Sequence, residues 1–183
     1  MPRTRMKVEE FLAISEADPR WMELVDGDMV VLDQRLAHGR LQASLIGALE
    51  GWRREGLGSH TIIGPTGVRL TPYDSYLPDV VVVRARPKVD RQGYLAELPV
   101  VCIEIRSPRT WSNDIGRKKS IYEEQGLPEL WLVDDVARVV LVFRRSAPGV
   151  EYFDTALELD ATDMLSSPLL PGFELALSDL FEL

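Results

Sequence analysis

The chain has 183 residues, of which 45% are hydrophobic, and its 21 Lys and Arg against 29 Asp and Glu give a formal net charge of -8. This length can bury one substantial core, and the composition excludes a disordered or low-complexity protein. The acidity also excludes a protein that coats nucleic acid through its overall charge, so any nucleic acid must meet a local basic patch.

The first segment, MPRTRMKVEEFL, has only a short, interrupted apolar stretch. It resembles neither a secretory signal nor a membrane span, so we expect a cytoplasmic protein with no membrane partner. Cys102 is the single cysteine, which excludes an intrachain disulfide, and its apolar surroundings indicate a buried small side chain. No composition shift marks a linker, and we therefore expect one domain over residues 1–183.

Apolar periodicity predicts the elements of the first half of the chain. They are a short amphipathic helix at 7–17, a hairpin at 21–33 that turns at Asp26 and Gly27, and a long helix from about Ala37 to Glu55. Gly56 is expected to end the long helix.

The second half alternates strands with one further helix. The pattern predicts strands in 60–70, 77–83 and 100–105, with a connection at 84–99 that has room for a helical turn. A helix is predicted at 110–126, followed by a hairpin of 130–134 with 139–145 around Asp134 and Asp135. The tail at 167–181 is expected to pack along a sheet edge. The second strand is apolar on both faces, which places it centrally in the sheet.

Two acidic residues flank adjacent apolar runs. Asp79 directly precedes the run 80–83, and Glu104 directly follows the run 100–103. If these strands are antiparallel neighbours, both carboxylates reach the same rim of the sheet, where they could hold Mg²⁺. The alternative is that Asp79 caps a turn after Pro78 and that Glu104 pairs with Arg106 or another base.

The following helix carries an inward-facing lysine. Trp111, Ile115, Lys118 and Tyr122 follow a 4, 3, 4 spacing, so Lys118 is expected to lie in the stripe that faces the sheet. An inward ammonium needs an anion. The alternative partner is Asp114, at helical i, i+4 spacing.

A series of motifs in this order resembles the Uma-type bacterial restriction-endonuclease-like family, a branch of the PD-(D/E)XK nuclease superfamily. The matching segments are ELVDG at 23–27, His38, GPTGVRL at 64–70, LPD at 77–79, CIEIRSP at 102–108, the spacing of Asp114, Lys118 and Tyr122, GLPELWLVD at 126–134 and SPLLPGFEL at 167–175. The resemblance covers most of the chain.

The resemblance implies an α/β fold with a restriction-endonuclease-like core, a central mixed sheet flanked by helices, and added hairpins. It also implies that Asp79, Glu104 and Glu23 are catalytic acids that bind Mg²⁺ or Mn²⁺. Glu23 could instead be a solvated carboxylate beside a hairpin turn. In the superfamily's simplest form the catalytic lysine lies two residues after the second acid. In the family that this chain resembles, the lysine lies instead on the following helix, where Lys118 matches it.

Arg106 occupies the strand position of that lysine, where it could hold a phosphate but could not act as a base. Together with Arg109, Arg117 and Lys119 it forms the densest basic cluster, which we predict contacts the substrate. His38 matches a histidine of the family and could also contact substrate, or it could cap or pack a helix start.

Two functions follow from these residues. The first is a Mg²⁺-dependent endonuclease acting on DNA, a substrate choice that rests on the superfamily resemblance alone. The second is a catalytically silent member that binds nucleic acid or a protein partner through the same groove, which Arg106 and the acidic net charge favour. A homodimer is expected by analogy with other nucleases.

Overall fold

A computed structural model of the chain describes residues 5–18, 20–32, 35–56, 58–91, 93–107, 111 and 114–182. Its helices are α1 (Val8–Ser15), α2 (Leu36–Arg54), α3 (Lys119–Glu124) and α4 (Leu177–Phe181), and a π-helical turn, Asp114–Lys118, leads directly into α3. Its strands are β1 (Met22–Val25), β2 (Asp28–Val31), β3 (His60–Ile63), β4 (Val68–Thr71), β5 (Asp74–Tyr76), β6 (Val80–Arg84), β7 (Val101–Ile105), β8 (Glu129–Asp134), β9 (Val139–Arg144), β10 (Thr155–Asp160), β11 (Met164–Ser166) and β12 (Glu174–Ala176).

A six-stranded sheet with the order β10-β9-β8-β7-β6-β3 forms the centre of the fold. β7 and β8 run parallel, whereas the other neighbouring strands run antiparallel. A parallel pair needs a crossover connection, which here contains the π-helical turn and α3. The predicted mixed α/β sheet is confirmed, as is the central position of the strand that follows Asp79.

Alternating side chains of the central strands separate two cores. On one face, Ile103 and Trp131 pack with Leu45 and Leu49 of α2. On the other face, Cys102 and Leu130 pack with Tyr122 of α3 and with side chains of a second sheet. Strands buried on both faces explain the near-continuous apolar runs in the sequence.

The second sheet has four strands in the order β2-β1-β5-β4. Its first hairpin turns as predicted at Asp26 and Gly27, whose φ angles of 53° and 78° suit the primed turns that connect two-residue hairpins. A Cβ added to Gly27 would lie 2.7 Å from the Cβ of Arg5. This sheet delivers β1, and with it Glu23, to the face of the central sheet opposite α2.

Three predicted elements differ from the structure. The segment 60–70 is two strands in different sheets, because Pro65 lacks the N–H needed to continue a ladder. The described part of 84–99 forms isolated bridges at Val89 and Leu95 rather than a helical turn. The tail packs on a sheet face instead of an edge, since Phe173 and other apolar tail residues join the core beneath α2.

The sequence predicts no segment that spans a membrane. Within the described ranges, no helix combines the length and apolar character needed to cross a membrane.

Leu45 tests the core beneath α2 because its side chain is fully buried, whereas Leu36 on the same helix is 85% exposed. Leu45→Ala should lower the free energy of unfolding by about 2–5 kcal/mol, since it removes buried methyl groups and leaves a cavity. The matched change Leu36→Ala should stay within about 0.5 kcal/mol in urea unfolding. Equal effects of the two substitutions would contradict this packing.

Candidate active site

Asp79 and Glu104 reach the same rim of the central sheet. β6 and β7 are antiparallel and pair Val80 with Ile103, a register that continues by one residue to bring Asp79 opposite Glu104. Both side chains are buried, and both line one pocket with Glu23, His38, Asp114 and Lys118. The sheet topology therefore places the two carboxylates at one rim, as the sequence predicts.

Asp79 is fixed by neighbours from two elements. Its Oδ2 accepts a 2.7 Å hydrogen bond from the backbone N–H of Ile105, and its Oδ1 lies 3.2 Å from Nε2 of His38 on α2. Gln42, one turn further along α2, donates to the carbonyl oxygen of Asp79 at 2.8 Å. The carboxylate is thus held against β7 rather than placed as a cap on the turn after Pro78.

His38, predicted to contact substrate or to cap or pack a helix start, lies against Asp79. Burial alone lowers the pKa of His38, but the hydrogen bond with Asp79 and the charge of that carboxylate outweigh burial and raise the pKa above its ordinary value. A protonated His38 would offset part of the negative charge at Asp79.

Glu23 comes to the pocket from the second sheet. Its Oε1 accepts the backbone N–H of Leu77 at 2.7 Å, two residues before Asp79. Its Oε2 is buried and has no hydrogen-bond partner among the described residues. The residue is only 1% exposed, so the alternative of a solvated carboxylate is wrong.

Lys118 is the central cation of the pocket. Its Nζ lies 2.8 Å from Oε1 of Glu23, 3.0 Å from Oδ1 of Asp114 and 3.2 Å from Oε2 of Glu104. The other oxygen of Glu104 accepts a 2.9 Å hydrogen bond from the hydroxyl of Tyr122, one turn along α3. Glu104 therefore pairs with Lys118 and Tyr122, not with Arg106.

The π-helical turn explains why Ile115 does not share the inward face with Lys118. A π-helix is wider than an α-helix, which changes the phase of its side chains. Ile115, predicted for the inward stripe, is 44% exposed, and Asp114 is 2% exposed instead. Sequence reasoning treated Asp114 only as a partner of Lys118; the same i, i+4 spacing was the available signal that it belongs to the acidic cluster.

The charges of this cluster strongly influence one another. Burial raises the pKa of Glu104 well above its ordinary value, although the nearby charge of Lys118 opposes the shift. Burial also raises the pKa of Asp114. Burial alone would lower the pKa of Lys118, but the charges of Glu104, Glu23 and Asp114 dominate and raise it, so the lysine remains an ammonium.

The donor set fits a hard divalent cation. Four carboxylates, from Glu23, Asp79, Glu104 and Asp114, face one ammonium, which leaves three formal negative charges when His38 is neutral. Carboxylate oxygens are the ligands that Mg²⁺ and Mn²⁺ prefer, and Oε2 of Glu23 is a carboxylate oxygen with no hydrogen-bond partner among the described residues.

The side chains are not yet arranged around an ion. Across the parts of the chain that the structure describes, no three His, Cys, Asp or Glu side chains are placed to hold a metal together. The cavity is about 20 Å³, enough for one water-sized particle, and Lys118 contacts three of the four carboxylates. Ion binding therefore requires side-chain movement.

Arg106 has a different partner from the one expected. Its guanidinium binds both carboxylate oxygens of Asp134 at 2.8 and 2.7 Å, and it lies over the ring of Trp111. The Arg106 hydrogen bond contributes to a lowered pKa of Asp134 despite the opposing effect of burial. Arg106 thus joins the end of β7 to the end of β8.

The rest of the predicted basic cluster does not form one free surface. Arg117 contacts Asp74 and Asp26, and Lys119 lies over the rings of Phe143 and Phe153. Arg109 lies outside the described residues. The described members each have a carboxylate within 4 Å, which for Lys119 is Glu123. A phosphate contact by any of them stays a prediction.

Lys118→Met tests the charge balance of the pocket. Removing one partner of a buried ion pair costs about 3–5 kcal/mol, so the variant should unfold more easily than the wild type. The loss should grow as pH rises above 4.5, the ordinary pKa of Glu, because carboxyls with raised folded-state pKa values stabilise only while protonated. Thermal melts at pH 5 and pH 8 measure this, with Lys119→Met as the control; a pH-independent difference would contradict it.

Known proteins that are similar to this chain indicate its family. A family model described as "Uma2: Putative restriction endonuclease" matches residues 8–178. No curated protein matches the chain. One solved structure, described as a putative nuclease belonging to DUF820 from Anabaena variabilis ATCC 29413, is 18% identical and has a TM-score of 0.76.

That alignment covers 97% of this chain and 98% of the other, which at this identity shows a shared fold. The family match includes the rim acids, His38, Asp114 and Lys118. Because the match spans nearly the whole sequence, the chain belongs to the Uma2 family, the family described as "Putative restriction endonuclease".

Proposed function

We propose that this protein is an endonuclease that hydrolyses phosphodiester bonds of DNA with the help of Mg²⁺ or Mn²⁺. The observation that carries the proposal is the buried group of four carboxylates around one lysine at the rim of the central sheet. Burying that much negative charge costs stability, so a sequence that retains it indicates a use for the charge. Family membership supports nuclease activity.

Asp79 and Glu104 would hold the cation, and Glu23 would complete the set through Oε2. When bound, a divalent cation polarises a phosphoryl oxygen, acidifies water and offsets developing negative charge. The protein's part is to hold its acids in place: the Ile105 N–H fixes Asp79, the Leu77 N–H fixes Glu23, and the Tyr122 hydroxyl fixes Glu104.

Lys118 would act on the substrate rather than on the fold alone. Its ammonium carries three N–H donors and remains protonated, so it can orient an attacking water or stabilise charge on the phosphate, but it is not a base at neutral pH. Arg106 is less suited to this work because Nη1 of its guanidinium already donates to both carboxylate oxygens of Asp134. DNA is preferred over RNA on the superfamily resemblance.

A second function is favoured by one observation. Lys118 already pairs with Glu23, Asp114 and Glu104, and no three acidic or histidine side chains in the described ranges are arranged around an ion. A protein that kept this arrangement permanently would be a silent member of the fold that binds nucleic acid or a protein partner. Metal titration separates the two functions.

The purified protein should nick or degrade DNA in Mg²⁺ or Mn²⁺ and should bind DNA without cleaving it in Ca²⁺. Binding should weaken as salt rises, because contacts to phosphates release counterions. Asp79→Asn and Glu104→Gln, purified in parallel, should show no cleavage and thereby control for contaminating nucleases. Equal cleavage by these variants, or none by the wild type in either metal, would contradict the nuclease proposal.

The roles of the two candidate cations can be separated by substitution. Lys118→Ala should reduce the cleavage rate by about 10²–10³, the usual cost of one lost electrostatic contact to the transition state. Arg106→Ala should change the rate far less, since its charge is committed to Asp134. Single-turnover rates, measured at a temperature where circular dichroism shows both variants folded, test the difference; an inactive Arg106→Ala beside a fully active Lys118→Ala would reverse the assignment.

A further inference from the structure

Lys118 and the proposed divalent ion need the same oxygens. The ammonium contacts Glu23 and Glu104 at 2.8 and 3.2 Å, and these are two of the three acids assigned to the ion. The cavity of about 20 Å³ has room for one water-sized particle, so a divalent ion that keeps several of its waters does not fit while Lys118 stays where it is. Two cations a few ångströms apart also repel each other, and screening by solvent is weak in a buried site.

Asp114 differs from the other two partners of the lysine. It lies on the same π-helical turn as Lys118, and its Oδ1 is 3.0 Å from the ammonium. A contact within one turn can move together with the lysine, whereas Glu23 and Glu104 are fixed on strands of two different sheets by Leu77 and Tyr122.

The geometry points to a cation exchange in which a divalent ion takes Glu23 and Glu104 from Lys118, while Asp114 retains the ammonium beside the site. Asp114 is then a positioning residue that acts through Lys118 and is not itself an ion ligand. The ion's presence rests on the proposed function; the sharing of carboxylates rests on the distances above.

Metal affinity tests the exchange without measuring activity. In calorimetric titrations with Mn²⁺ alone, Lys118→Met should bind about tenfold more tightly than the wild type, because the competing ammonium is gone. Asp114→Asn should bind about tenfold more weakly, because the displaced ammonium then has no anion. These values correspond to coupling energies typical of neighbouring charged residues. Lys119→Met, the next residue along, should bind as the wild type does.

The double variant Lys118→Met with Asp114→Asn decides the role of Asp114. If Asp114 acts only through the lysine, the double variant should bind Mn²⁺ as tightly as Lys118→Met alone. If the Asp114→Asn loss persists in the Lys118→Met background, Asp114 is an ion ligand and the positioning role is overturned. An unchanged or weaker affinity of Lys118→Met would overturn the exchange.

A measurement on the wild type keeps the proposal testable if these variants fold poorly. The chain has only four lysines, so selective ¹³Cε labelling gives four NMR signals, one of which belongs to the buried Lys118. Mg²⁺ should move this signal and leave Lys7, Lys88 and Lys119 in place. A Lys118 signal that Mg²⁺ does not change at saturating binding would overturn the exchange.

The outcomes also separate this inference from the nuclease proposal. A metal-dependent shift of Lys118 in a protein that cuts no DNA would support the exchange and contradict the nuclease activity. Metal-dependent cleavage with an unmoved Lys118 signal would do the reverse.

Discussion

The contact between one ammonium and three buried carboxylates is the constraint on which the site depends. Lys118 is 2% exposed and lies within 3.2 Å of oxygens from Glu23, Asp114 and Glu104. Burial alone disfavours the charged forms of Glu104, Asp114 and Lys118, and the attraction between the ammonium and the carboxylates opposes that effect. The acids and the lysine are therefore acceptable in the interior only as a group.

The fold brings this group together from three separate elements. The central sheet supplies Asp79 and Glu104, the second sheet supplies Glu23, and the crossover between the parallel strands β7 and β8 supplies Asp114 and Lys118. A change in the register of β6 against β7 would separate the rim acids, since a shift of one residue turns each side chain to the opposite face. The site is thus a product of sheet topology as much as of residue type.

Much of the site could be predicted from the sequence because its signals are local. Asp79 and Glu104 stand at the boundaries of apolar runs, and antiparallel pairing then fixes their common rim. The helical spacing also identified Lys118 as inward. Ile115 could not be assigned correctly, because the wider π-helical turn changes the phase that an α-helical pattern assumes.

The partners of the basic residues could not be predicted either, because they depend on contacts distant in sequence. Arg106 pairs with Asp134 at the end of the neighbouring parallel strand, and Arg117 pairs with Asp74 of the second sheet. A sequence shows the density of positive charge, but it does not show which charges are already neutralised. The same limit applies to the tail. Its apolar residues could cover either a sheet edge or a sheet face, and the position of α2 decides between the two.

The most direct test of the account is a crystal structure of the protein grown with Mn²⁺, with anomalous data collected to locate the ion. The account predicts an anomalous peak between Asp79 and Glu104, in contact with Glu23 and with the Lys118 ammonium moved toward Asp114. A Mn²⁺-saturated crystal with no peak at this rim, and with Lys118 still in contact with Glu23 and Glu104, would contradict it.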